Sequence, residues 1–259
     1  MLAIDSVIPL AGWPGLAVLA LVGAIASVIN TMAGGGGLLV LPVLTEGFLL
    51  SPSHANGTMR VGVIVQNVSS VIAFARRREG DRKVVLTLLP AMIAGCVVGT
   101  LLATRLADAL LRPIFGVVLV VWAIALVVRP GRFLDAPAEP RTPGIAAQIA
   151  ALAIGLYGGF LQAGVGFPLL ALLVSMLGHP PVRANAIKVA LVLGFTMVSL
   201  PLFALAGQVE WREGLALALG SLVGGWLGAT WQLREGGAKV VRWFVIAAVA
   251  ISGAMMVIR

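Results

Sequence analysis

The chain predicts an all-α polytopic membrane protein of two inverted structural repeats, with glycine-broken or re-entrant short helices near the midplane. Three observations carry that expectation. Only 11% of the 259 residues are charged and 60% are hydrophobic, at a mean hydropathy of +1.06, where a soluble domain carries about 25% charge. The apolar stretches are continuous and rich in Gly and Ala over about 20 residues, as a helix crossing the hydrocarbon core requires, whereas a membrane strand alternates over about ten. Residues 33–129 recur, at low identity and with one single-residue gap near position 50, about 129 positions later in 163–258. The anchors pair Ala33-Gly34 with Ala163-Gly164, Gly36 with Gly166, Pro52 with Pro181, Ala55-Asn56 with Ala184-Asn185, Gly95 with Gly224, Gly99 with Gly228 and Phe115 with Phe244. Duplication in so apolar a chain points to a transporter with its site between the halves.

Each repeat reads as five segments: A (14–33), B (37–50), C (56–75), D (84–104) and E (113–128), with counterparts at 145–163, 167–178, 186–206, 214–233 and 243–258. The first repeat is thus 1–129 and the second 145–259, joined by 130–144. Segment A begins near Trp13 with no Lys or Arg before it, so a removable signal peptide is not expected. Segment B and its counterpart, 14 and 12 residues long, fall short of the roughly 30 Å core at 1.5 Å per residue and read as re-entrant or broken. Segment D holds the lone Cys96 among small residues, which suits helix packing. The Pro-rich linker, with its mixed charges, reads as an exposed connection.

Positive charge orients the halves. The C–D loop carries Arg76, Arg77, Arg78, Arg82 and Lys83, while its counterpart carries only Arg212. Equivalent loops therefore face opposite sides. The D–E loop (Arg105, Arg112) is weaker than its mate (Arg234, Lys239, Arg242), and the linker adds Arg129, Arg132 and Arg141. The consistent path puts both termini outside and the C–D loop, linker and last loop in the cytoplasm, whether A and B each cross or form a re-entrant hairpin. The net charge of +8 clusters at helix ends, so topology explains it and no nucleic-acid partner is expected. The partners expected are the bilayer, a small anion and, in an assembly, further copies of the chain.

The polar residues mark a candidate anion site. Gly34, Gly35, Gly36 and Gly37 break the helix between A and B, and the second copy keeps Gly164 and Gly166. Unwound backbone at membrane depth lines a cavity or is buried in protein, and each break leads into a helix amino terminus, which favours anions. Close packing through small residues is the competing reading. Asn56 and Asn185 stand at the entries to C and its mate, as caps. Counting back from Arg76 places Arg60 about one turn inside the boundary, with Lys188 in the equivalent turn. Cations at that depth suggest a negatively charged substrate, against snorkelling to the interface. Thr58, Gln66, Asn67 and Gln162 could orient oxygens, although interhelical hydrogen bonding is the commoner use. Glu46, within an apolar segment, is the candidate for proton coupling, against the competing reading that it marks the outer end of a short helix, and the aligned Met176 carries no acid. His54 and His179 have no ligand cluster around them, so no metal is expected. No nucleotide-binding or nucleophile motif stands in the chain, so neither cofactor nor catalysis is expected.

Through AGGGGLLVLPVL after the first helix, Ala55–Thr58, the basic loop after C and the weaker second copy beginning GLYGGFLQAGVG, the chain resembles the TauE/SafE family of bacterial permeases. The resemblance covers nearly the whole sequence. It implies an inner-membrane carrier for sulfite, sulfoacetate or other sulfonates, and carries over most firmly to Gly34, Gly35, Gly36 and Asn56. Val165 and Phe167 interrupt the second glycine run. The expectation is a secondary anion transporter working by alternating access between the repeats. A passive channel on the same fold, or an intramembrane enzyme built on Glu46 or the histidines, are the competing readings.

Overall fold

The computed structural model describes residues 12–128 and 139–233. The expected last segment, both chain ends and most of the linker lie outside them. Within the described residues the chain is all helical: α1 (Gly12–Ala33), α2 (Gly37–Pro42), α3 (Pro52–Arg76), α4 (Arg82–Arg105), α5 (Asp108–Val128), α6 (Ile145–Phe160), α7 (Gly166–Leu170), α8 (Pro181–Leu205) and α9 (Trp211–Gln232). Five of them, α1, α3, α4, α8 and α9, are long and apolar enough to cross a membrane. Leu21 and Ile25 of α1, Leu86, Val98 and Leu102 of α4, and Leu215, Leu219 and Val223 of α9 face outward, the belt that a lipid solvent requires. Helix starts follow the sequence: Ser51 with Pro52 opens α3, and Asp81 accepts the amides of Lys83 and Val84 at 3.0 and 3.3 Å to open α4.

Among the described residues, the expected segments are found within a few residues. The short B segments prove to be returning limbs. Gly36 lies against Ala26 and Asn30, so the chain folds back along α1 at the break. The outgoing limb has 22 residues, about 33 Å. The returning one has six helical residues and then five in a wider π turn, Val43–Gly47. The second repeat repeats this shape, with a π turn at Ala171–Met176. Each pair is a hairpin of unequal limbs whose turn is buried.

Helix pairing crosses between the halves. α1 runs parallel to α9 with backbones touching at Gly220, Gly224 and Gly228, where an added Cβ would meet Ala20, Ala24 and Val28. α6 runs parallel to α4 in the same way, through Gly95 and Gly99 against Leu152 and Leu156, and Gly155 and Gly159 against Met92 and Cys96. Small residues permit this approach. The first helix of each repeat therefore packs on the fourth of the other. The two third-segment helices run antiparallel: the start of α3 meets the loop after α8, with Gly57 against Gln208, while its end packs Ala73 and Phe74 on Ala186 and Val189 near the start of α8.

Candidate functional site

The two glycine turns meet. A Cβ on Gly34 would stand 2.6 Å from the Gly166 backbone, Gly37 faces Ala163 at 2.8 Å, and Phe167 covers Gly35. Gly34 and Gly164 hold φ of 91° and 77°, the left-handed region that favours glycine. Around this crossing lies a layer of buried polar side chains, among them Thr31, Asn56, Arg60, Gln66, Gln162, Asn185, Lys188, Thr196 and Ser199.

A helix that stops leaves its last four carbonyls without ladder partners, and inside a membrane water cannot replace them. At the end of α6, Leu161 N takes Tyr157 O at 2.7 Å, Arg60 Nη1 takes Gly158 O at 3.2 Å, Arg60 Nη2 takes Gly159 O at 2.8 Å, and Asn56 Nδ2 takes Phe160 O at 2.7 Å. At the end of α1, Lys188 Nζ takes Asn30 O and Thr31 O at 2.9 and 3.0 Å, while Asn185 Nδ2 takes Met32 O at 3.1 Å. Gln232 Nε2 adds a second bond to Thr31 O at 3.0 Å. Each repeat thus closes the broken helix of the other with one cation and one asparagine. The partial negative charge of a helix carboxyl end suits a cation.

This corrects two expectations. Asn56 and Asn185 do not cap their own helices, because α3 begins at Pro52 and α8 at Pro181. They cap α6 and α1 from across the repeat boundary. Arg60 does not lie one turn from the interface, because the earlier helix start carries it more than two turns inward. It is fully buried, and its guanidinium also donates to Gln162 Oε1 at 2.9 Å and Ser199 Oγ at 2.8 Å, with the Phe203 ring 4.4 Å away. Lys188 is 2% exposed. Snorkelling is excluded for both. None of the ion pairs among the described residues involves either cation.

Other predicted residues divide. Gln162 bridges Arg60 and Thr196, donating to Thr196 Oγ1 at 3.2 Å. Gln66 accepts from Asn30 Nδ2 at 3.0 Å and donates to Thr31 Oγ1 at 3.3 Å. Thr58 is not part of this layer, since its hydroxyl accepts the Glu210 amide at 2.9 Å where α9 begins. Asn67 donates to Val63 O of its own helix at 2.8 Å. Glu46 sits on the π turn with a side chain 37% exposed, its carboxylate 3.8 Å from Arg112, at the end of the short helix rather than deep within it.

A small cavity opens beside the first break, walled by Ser27 and Asn30 of α1, Gly36 and Gly37, Gln66 of α3 and Ser221 of α9, with Val40, Met59 and Leu217 as its apolar lining. In the turn the Gly34 amide takes Asn30 O at 2.8 Å, and the Leu38 and Leu39 amides take Gly35 O and Gly36 O at 3.0 and 3.1 Å. Asn30, which lines the cavity, carries on its carbonyl the Lys188 ammonium. Sequence reasoning passed over Ser27, Ser199, Ser221 and Gln232. Their signal was only that each is a polar residue in an apolar segment and needs a partner there.

The sulfite exporter TauE/SafE family model matches residues 19–256. The chain is 28% identical to a probable membrane transporter protein, ORF9, of a Sinorhizobium species, covering 92% of this chain and 90% of the relative. It is 29% identical to a probable membrane transporter protein of Haemophilus influenzae (85% and 86% covered) and 27% identical to the probable membrane transporter protein YfcA of Escherichia coli (93% and 89%). No solved structure matches it.

Proposed function

The chain belongs to the sulfite exporter TauE/SafE family, a multi-pass membrane transporter group, and from that premise we propose that it is a secondary carrier for a small sulfur-containing anion, sulfite, sulfoacetate or another sulfonate. One observation carries the anion: Arg60 and Lys188 are both buried at the crossing of the broken hairpins, held by carbonyls and amides rather than carboxylates. Helix ends offset only part of that charge, so the layer keeps a positive field. In this conformation the cations touch protein, so their charge acts on the substrate through space. Ser27, Ser221, Asn30, Gln66 and the Gly36 and Gly37 amides beside the cavity supply the polar contacts.

Alternating access is the mode this reading adopts. Antiparallel α3 and α8 and the exchanged α1–α9 and α4–α6 pairs support inverted repeats that rock about their shared layer. The basic loop after α3 stands at the cytoplasmic face, together with the start of α8.

The test is flux into proteoliposomes holding the purified chain, with sulfite, sulfoacetate, taurine, sulfate and acetate compared. The carrier reading expects saturable flux that favours sulfur anions. Flux that rises linearly with concentration would make the protein a channel, and no selectivity among the anions would remove the sulfur assignment.

A further inference from the structure

Two ion pairs at opposite ends of the molecule are related by the duplication. Where α3 begins, His54 Nδ1 lies 2.7 Å from Glu210 Oε1, just ahead of α9. Where α8 begins, Arg183 Nη2 donates to Asp81 Oδ2 at 2.8 Å, just ahead of α4. The 129-residue shift that aligns the repeats carries His54 onto Arg183 and Asp81 onto Glu210. Each pair is therefore the other's counterpart, and each ties one repeat to the other. On the proposed orientation the first closes the outer end and the second the inner end.

The bases differ. A guanidinium keeps its charge at any physiological pH, while an imidazole changes charge between about pH 5 and 8. His54 is flanked by two carboxylates. One is Glu210, and the other is Asp108 at the start of α5, which accepts the Ser53 amide at 2.8 Å and acts electrostatically on His54. A protonated ring stands between two anions and holds the outer end together. A neutral ring can still donate Nδ1–H to Glu210, but the positive charge that attracts both acids is gone. With side chains 36% and 43% exposed, the pair is open to solvent protons and partly screened.

At the inner end a second histidine stands beside the pair. His179 is 2% exposed, and neither ring nitrogen has a hydrogen-bond partner among the described residues. Charged groups reach it from α8, as Arg183, and from the turn before α4, as Asp81. The linker covers the same turn, with Arg141 N on Leu177 O at 2.8 Å and the Glu139 carbonyl against Gly178. A ring buried without partners next to a guanidinium takes a proton only when that end opens to water.

We propose that His54 and His179 give the two ends opposite responses to protons, acid closing the end at His54–Glu210 and opening the end at Arg183–Asp81. This rests on the alternating-access reading, and it supplies a coupling site distinct from Glu46.

The experiment is hydrogen exchange on the full chain in lipid nanodiscs without substrate, at pH 5.5 and 8.0, with each rate divided by its intrinsic value. Protection around 50–56 and 206–212 should fall about two- to fivefold as pH rises, the range expected of a partly exposed pair. Protection around 77–83 and 177–183 should rise over the same interval. His54→Arg and His179→Phe should each weaken both responses, because the ends open alternately, and the double variant should abolish them. Ends that change in the same sense, or responses that survive in the double variant, would overturn the proposal. Because no substrate is present, absence of anion flux would fall on the carrier reading and leave this result unaffected.

Discussion

Gly34 and Gly166 touch backbone to backbone, so that a methyl group on Gly34 would stand 2.6 Å from the Gly166 carbonyl carbon. This is where the buried turns of the two repeats meet, and Gly34 holds a φ of 91° as well. Gly34→Ala adds strain and overpacking together, a cost of about 2–4 kcal/mol. Thermal unfolding in detergent should show a clear loss of stability and proteoliposome flux should disappear. Gly116→Ala, at a helical site with nothing within 4 Å of the new carbon, should be neutral or stabilise by up to about 1 kcal/mol.

Arg60 closes two carbonyls of α6 and binds Gln162 and Ser199 besides. Arg60→Ala leaves those acceptors buried without donors and opens a void, so a loss of about 3–5 kcal/mol or outright failure to fold is expected. Arg60→Lys keeps the charge but reaches fewer carbonyls. It should fold with reduced stability and retain measurable anion flux. Equal stability of both variants with the unaltered chain would show that the α6 end does not need this cap.

The segments, the glycine breaks and the cations were legible in the sequence because each is local: an apolar run, a glycine cluster, a charge in the wrong solvent. What those residues touch was not. Asn56 and Asn185 read as caps of the helices they begin, because the first turn is where an asparagine usually acts. The structure turns them onto Phe160 and Met32 instead, about a hundred residues or more away. Thr58 likewise sits in the Ala55–Thr58 motif yet ends up on Glu210. No periodicity reports that the first helix of one repeat packs on the fourth of the other, and that exchange decides which carbonyls each cation meets.

Asn185 tests whether positive charge, rather than contact, draws the anion. Its Oδ1 accepts the Lys188 ammonium at 2.6 Å, while its Nδ2 donates to Met32 O and to Gln232 Oε1. Asn185→Asp places a carboxylate on Lys188 and cancels the charge at nearly constant shape. Apparent anion affinity should fall on the order of tenfold, as the loss of a unit charge in a partly desolvated site implies. Asn185→Ala removes the same bonds without adding charge. If affinity falls equally in both, the field is not what holds the substrate.

Asp81 sets an acid limit on the end where α8 begins. Burial raises its carboxyl, but the amides of Val84 and Lys83 and the Arg183 guanidinium outweigh that and hold it below the ordinary carboxylate value. A depressed acid stabilises the fold at any pH above its unfolded value of about 3.9 and loses that contribution as pH falls through the folded value. At pH 7, Asp81→Asn keeps an N-cap and loses the ion pair, so stability should drop by about 0.2–1 kcal/mol. Below about pH 4 the variant and the unaltered chain should converge as Asp81 takes up its proton. Asp81 also favours protonation of His179, so the comparison is made in a His179→Phe background, where that titration is absent. A gap in melting temperature that stays constant from pH 7 to 3 would mean that the carboxylate's charge does not hold this end together.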